Sequence, residues 1–158
     1  MKDPEDIRAW QRLSSTITTS GRLKAGDPAR LAAIGTRLVI NLALSDHPEA
    51  LEDEADAFAV QGVEYTHIPV PFDAPSREHF EAFKFALESS VGPVHVHCIM
   101  NWRVSAFFYL LHIEQGMAES EARELMTRQW DPLAAEEPYA RPWAALIGQI
   151  TGRTPTSQ

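Results

Sequence analysis

The apolar and polar positions of this 158-residue chain switch repeatedly between two periods, and each switch marks an element. Ile17-Thr18-Thr19-Ser20 is rich in β-branched residues and runs into Gly21, a strand with a turn at its end. Asp27-Pro28 reads as an N-cap followed by proline at the first helical position, opening a short helix that closes near Gly35. Leu38 to Leu42 is a short, mostly apolar run of strand length. From Ser45-Asp46-His47-Pro48 an acidic helix is predicted as far as Gln61-Gly62. Val63 to Val70 alternates and reads as a third strand, and Pro69, Pro71 and Pro75 then stiffen an extended loop. Ser76 opens a helix carrying Phe80, Phe83, Phe85 and Leu87, and Gly92-Pro93 breaks the chain before a buried strand over Val94–His97. Ala106 to Ile113 is apolar without Gly or Pro and reads as a helix stopped by Gly116. Ala118 to Trp130 and Pro142 to Ile150 read as two more helices, and the tail from Thr154 to Gln158 is predicted to be disordered.

Alternating strands and helices with apolar strands predict an α/β fold, a mainly parallel central sheet flanked by helices. The length suits one domain over residues 1–158. In such sheets ligands bind beyond the carboxyl ends of the strands. Two loops stand out there: the proline-rich one after Val70 and the one after His97.

Composition narrows the classes of function. Fourteen Lys and Arg against 22 Asp and Glu give a formal charge of −8, which argues against nucleic acid or an anionic membrane as partner. A lone cysteine, Cys98, excludes an internal disulfide and any multi-cysteine metal site, and fits a reducing compartment. Met1 to Asp6 has no apolar stretch of signal-peptide type, and no run approaches the ~18–20 apolar residues of a membrane span. These features predict a cytoplasmic protein, and no cofactor is expected.

The lone cysteine also sits where chemistry is favoured. Cys98 ends a strand, and a short loop leads from it into a helix N-terminus. Free backbone N–H groups and the positive end of the helix dipole meet at such a place, which binds anions and favours a thiolate over a thiol. Arg103 adds a planar fork suited to an oxyanion. A structural cysteine buried for packing would need neither this arginine nor this loop. Ile99, Met100, Asn101 and Trp102 would act through their amides. A loop that wraps an anion needs a residue at positive φ; there is no Gly here, and Asn101 is the best substitute. Met100 and Trp102 read as packing residues, with Trp102 alternatively flanking a substrate ring.

The window resembles the protein tyrosine phosphatase superfamily, whose motif is His-Cys, five residues, Arg, then Ser or Thr. His97, Cys98, Arg103 and Ser105 carry the match. Only four residues, Ile99 to Trp102, separate Cys98 from Arg103, whereas Ser105 keeps its place seven after Cys98, with Val104 balancing the count. A four-residue spacing is found in a bacterial branch of phosphatase-like proteins, which the stretch from His97 to Phe107 resembles. It is also the spacing of rhodanese sulfurtransferases.

The resemblance implies a cysteine-phosphatase-like fold and a hydrolase of phosphate monoesters, of tyrosine or dual-specificity type. Cys98 would be the nucleophile, forming a cysteinyl-phosphate. The Ile99–Arg103 amides and the Arg103 guanidinium would hold the phosphate, His97 would orient the loop, and Ser105 would hydrogen-bond Cys98 and help the thiol leave. A general acid is required. The candidate is Asp73 in Val70-Pro71-Phe72-Asp73-Ala74-Pro75, with an Asx-turn before Pro75 as the alternative reading, and with Asp46 and Asp131 as lesser stand-ins. A phosphorylated protein or small molecule would be the partner. A rhodanese-like sulfurtransferase or persulfide carrier on the same thiol is the alternative, and a phosphate-docking module without turnover is a third class. Loop length favours sulfur; Asp73, which sulfur transfer does not need, favours phosphate. His95, His97 and Cys98 form an incomplete zinc set with no fourth ligand near, so no metal is expected.

Overall fold

A computed structural model describes residues 2–152; the tail predicted to be disordered lies outside the described residues. Five strands form one sheet: β1 (Gln11–Arg12), β2 (Ile17–Ser20), β3 (Leu38–Asn41), β4 (Glu64–His67) and β5 (Val94–His97). The order is β1-β2-β5-β3-β4. β2, β5, β3 and β4 run parallel, and β1 is an antiparallel edge. This is the mainly parallel sheet the sequence predicts. The register aligns Ser20, His97, Asn41 and His67 in one row at the carboxyl ends of the four parallel strands. Every loop that can meet at a common site starts from this row.

The period-two alternation splits the core into two layers. Leu38, Ile40, Val94 and Val96 point into the larger one with Phe80, Phe83 and Phe107. Val39 points the other way, against Leu31, Phe58 and Val63. α1 (Asp27–Ala33) and α2 (Glu54–Val60) supply that smaller layer. α3 (Arg77–Glu88), α4 (Trp102–Glu114), α5 (Glu119–Thr127) and α6 (Arg141–Thr151), with a 3-10 turn over Pro138–Ala140, cover the opposite face. α4 is buried without interruption from Arg103 to Leu111, so it is the helix about which the others pack. Phe107 and Trp143, both fully buried, each contribute about 1.5–3 kcal/mol by leaving water.

Several expectations are corrected. The acidic helix does not begin at Ser45. Pro48 lies within successive turns, with His47 N–H donating to Leu44 O and Ala50 N–H to His47 O, and the helix starts only at Glu54. β4 is the short segment Glu64–His67 within the predicted 63–70 run, and α5 ends at Thr127 rather than Trp130. Asp27 is not the N-cap but the first residue of α1. Its carboxylate accepts from Lys24 N–H at 2.7 Å and binds Arg30. Phe80 and Phe83 are buried, but Phe85 on the same helix faces solvent. β1 carries no pattern that two residues could show. No helix among the described residues is long and apolar enough to cross a membrane.

Candidate active site

Cys98 follows β5 directly and is fully buried. Its own N–H donates to Ser20 O on the neighbouring strand at 3.4 Å. Beyond it the chain turns sharply into α4, and the turn rests on Asn101, whose φ is +68°. The left-handed conformation expected of this residue is therefore the one it adopts. Its side chain, also fully buried, donates to Ala9 O at 2.9 Å and to Thr19 Oγ1 at 3.0 Å, which tethers the loop to the β1–β2 edge. Gly21 closes the other side. A Cβ there would lie 2.5 Å from Ile99 O, so only glycine permits the approach that lets Arg22 N–H reach Ile99 O at 2.9 Å. Arg8, held by both oxygens of Glu49 at 2.9 Å, reaches toward Ile99 O and Met100 from outside.

The loop's amides are left free. Among the described residues, none of the backbone N–H groups from Ile99 to Val104 donates to a protein acceptor. They gather at the N-terminus of a 13-residue helix, where the dipole favours negative charge. Arg103, nearly buried, donates its Nε to Val70 O at 2.8 Å and lies over the Phe72 ring at 5.3 Å. Both Nη groups make no hydrogen bond among the described residues. One nitrogen is spent on fixing the guanidinium, and two remain for an oxyanion.

The structure brings Asp73's loop to this place. Val70 N–H donates to Leu42 O at 3.0 Å and Val70 O receives Arg103. Phe72 packs among Trp102, Trp130, Tyr139 and Trp143. Asp73 follows as an exposed residue in a turn closed by Ala74 N–H to Pro71 O at 3.1 Å. The Asx-turn reading is not what forms: this turn is closed by backbone. Of the stand-ins, Asp131 receives Arg123 and Leu133 N–H and is structural, whereas Asp46 is exposed in the turns after β3. Ser105 donates to Trp102 O at 3.2 Å instead of to Cys98; in the first turn of α4, its hydroxyl bonds back to the carbonyl three residues earlier.

His97 and His95 lie on the same side of β5, rings 6.1 Å apart. His97 Nε2 binds Glu54 Oε2 at 2.5 Å, and Nδ1 lies 3.3 Å from Cys98 O. His95 is held between Thr18 Oγ1 and Ser20 Oγ, each at 2.8 Å, and stacks on Trp10. Both its ring nitrogens are occupied, which leaves none for a metal. Burial, and then the neighbouring His97, push its pKa well below the ordinary value, so the ring is neutral. Sequence reasoning missed Glu54, and with it Asn41 and Tyr65. Asn41 donates to Tyr65 OH at 2.9 Å, and burial followed by the Glu54 charge raises that phenol's pKa. It also missed Trp130, Tyr139 and Trp143.

A mainly parallel sheet, a cysteine at the carboxyl end of its central strand, free loop amides and an anchored arginine define a cysteine-phosphatase-like fold. The sequence profile of the beta-lactamase hydrolase-like protein, phosphatase-like domain family matches residues 9–115, about two-thirds of the chain, and the chain belongs to that family. No curated protein sequence matches it. Among solved structures, a candidate phosphatase (DUF442) from Shewanella putrefaciens superposes with a TM-score of 0.80 at 28% identity, covering 94% of this chain and 92% of its own. P. aeruginosa TpbA in complex with phosphotyrosine gives 0.72 at 20%, covering 96% and 88%. A phosphatase candidate from Neisseria meningitidis gives 0.68 at 18%, covering 85% and 96%. The family is one of phosphatase-like domains, and the solved structures share its fold.

Proposed function

We propose that this protein hydrolyses phosphate monoesters, of tyrosine or dual-specificity type, through a cysteinyl-phosphate on Cys98. The observation that carries the reading is the coincidence, around one loop, of Cys98, unengaged amides from Ile99 to Val104, and two unengaged Arg103 Nη groups. The amides and the fork hold the three non-bridging oxygens. Their hydrogen bonds strengthen as charge builds on the transferring phosphoryl group, because the donors are already oriented by the helix and by Val70 O. The Cys98 thiolate attacks phosphorus, an S–P bond forms, and the P–O bond to the leaving group breaks. Asp73 gives that oxygen its proton. Water then attacks phosphorus and passes a proton back to the Asp73 carboxylate. The S–P bond breaks, and inorganic phosphate and the thiolate are released. His97 holds the carbonyl side of the nucleophile, and Ser105 steadies Trp102 O within the loop.

Phe72 and Trp102 border the loop and suit an aryl ester, and TpbA, a structural neighbour, was solved with phosphotyrosine. The loop's four-residue spacing keeps sulfur transfer as the competing chemistry. One preparation assayed with an aryl phosphate and with thiosulfate plus cyanide separates them. Turnover of the aryl phosphate, abolished in Cys98→Ser, is expected. Cyanide-dependent thiocyanate formation with a stable persulfide on Cys98, and no phosphate release, would replace this reading with the sulfurtransferase.

A further inference from the structure

The loop that carries Asp73 is fastened at four points. Val70 N–H donates to Leu42 O at 3.0 Å. Val70 O accepts from Arg103 Nε at 2.8 Å. Phe72 O, the carbonyl directly before Asp73, accepts from Trp143 Nε1 at 2.8 Å. Ser76 closes the far end with a reciprocal cap, its Oγ accepting from His79 N–H and its N–H donating to His79 Nδ1. Pro71 and Pro75 fix φ on both sides of the turn. Nothing in this arrangement resembles a hinge, where loose backbone absorbs a large φ/ψ change.

The decisive fastener comes from outside the family's span. Trp143 lies on α6, beyond the matched residues 9–115. It is fully buried, and its indole spends its single donor on Phe72 O. Trp130, also outside that span, does the same for the other loop: its Nε1 donates to Trp102 O at 3.0 Å, and its ring lies parallel to that of Trp102, 4.8 Å away. Phe72 then packs against Trp102, Trp130, Tyr139 and Trp143. The C-terminal segment therefore holds the acid loop and the phosphate loop in one register through two indole N–H groups.

We infer that Trp143 is a positioning residue for Asp73, and that the loop bearing this aspartate stands preformed instead of closing over substrate. The inference rests on Asp73 being the general acid. A buried tryptophan donor to the preceding carbonyl sets the direction in which the Asp73 side chain leaves the turn. Loss of the donor costs orientation and hence protonation of the leaving group, an effect invisible when the leaving group needs no proton.

The test is kcat/KM, which reports only the steps up to loss of the leaving group and not hydrolysis of the cysteinyl-phosphate, across a series of aryl phosphates graded by leaving-group basicity, for wild type, Asp73→Asn and Trp143→Phe. Phe keeps most of the packing and removes the N–H. The expected result is a steeper dependence on leaving-group basicity in Trp143→Phe, in the direction of Asp73→Asn. The loss should be roughly tenfold or more for the poorest leaving groups and small for the best. An equal loss across the series in Trp143→Phe, with Asp73→Asn still selective, would overturn the positioning role while leaving the acid in place. An equal loss in Asp73→Asn would overturn the acid itself. Hydrogen exchange of residues 70–75 with and without vanadate is the second measurement, and it needs no variant. Unchanged protection is expected; strong new protection on binding vanadate would make the loop a closing lid and sink the inference.

Discussion

Glu54 Oε2 lies 2.5 Å from His97 Nε2, although 43 residues separate the two and both are buried. The contact places a carboxylate from α2 directly behind the residue that precedes the nucleophile. His97 Nδ1 faces Cys98 O at 3.3 Å, so the ring bridges α2 to the first peptide of the phosphate loop.

Removing Glu54 therefore has a definite cost. In Glu54→Ala, His97 Nε2 loses its partner in a buried place, worth about 1–3 kcal/mol and more if the ring is charged. Glu54→Gln retains an acceptor and should lose much less stability. Urea unfolding of both variants reads the difference. Equal midpoints for Glu54→Ala and wild type would mean that the contact contributes nothing.

Arg103 is held so that only two of its three nitrogens are free, and a lysine cannot reproduce that division. A single ammonium at this position would have to choose between Val70 O and the oxyanion. Arg103→Lys is expected to lower kcat for an aryl phosphate by roughly 10²–10³-fold and to weaken vanadate inhibition in parallel. Vanadate inhibition of wild-type strength in the variant would move the anion site away from this loop.

Gly21 tests the cradle from the opposite side. The Cβ of Gly21→Ala would stand 2.5 Å from Ile99 O and 3.0 Å from Arg8 Cδ. The arginine can move, but a backbone oxygen within the loop can do so only by shifting the amides beside it. Overpacking of this kind costs about 1–3 kcal/mol. The expected outcome is a fall in kcat/KM together with a weaker affinity for vanadate. A variant with unaltered kinetics would show that the loop tolerates a displaced Ile99 carbonyl.

Residue chemistry explains which of these features can be read in the sequence. Val94 to His97 announces its strand through β-branched residues, and Ser76 its helix through a short polar side chain that can bond back to the backbone. Asn101 stands out because no glycine is present and asparagine is the residue that best bears a positive φ. All of these are properties of one residue and its immediate neighbours. The Glu54–His97 and Trp143–Phe72 contacts, 43 and 71 residues apart, leave no trace in local pattern. Glu54 looks like any acid on an acidic helix, and Trp143 like any apolar residue on an amphipathic one. The helix expected from Ser45 fails for a related reason. Polar composition around Pro48 fits a helix start and a chain of turns equally well, and His47 ring and backbone bonds decide for turns.

His95 gives a pH dependence whose sign follows from its surroundings. Thr18 and Ser20 hydroxyls hold its two nitrogens, Trp10 covers one face, and His97 is the nearest titratable ring. Burial, then the proximity of His97, lowers its pKa well below the ordinary 6.5. In the unfolded chain this histidine takes up a proton near that ordinary value, whereas the folded chain resists until far lower pH. Between the two values the unfolded state holds more protons, so stability falls as pH is lowered through this window. His95→Gln keeps a donor and an acceptor for the two hydroxyls and cannot be protonated. Its absolute stability will be lower, but its loss of stability from about pH 7.5 to about pH 5 should be shallower than that of wild type, by up to ~1.4 kcal/mol per pH unit. Carboxylates held low by arginines, such as Asp3 beside Arg12, titrate in both proteins and cancel in the comparison. Unfolding free energies of the two proteins measured across this range decide the matter: parallel curves would mean that His95 does not resist protonation in the fold.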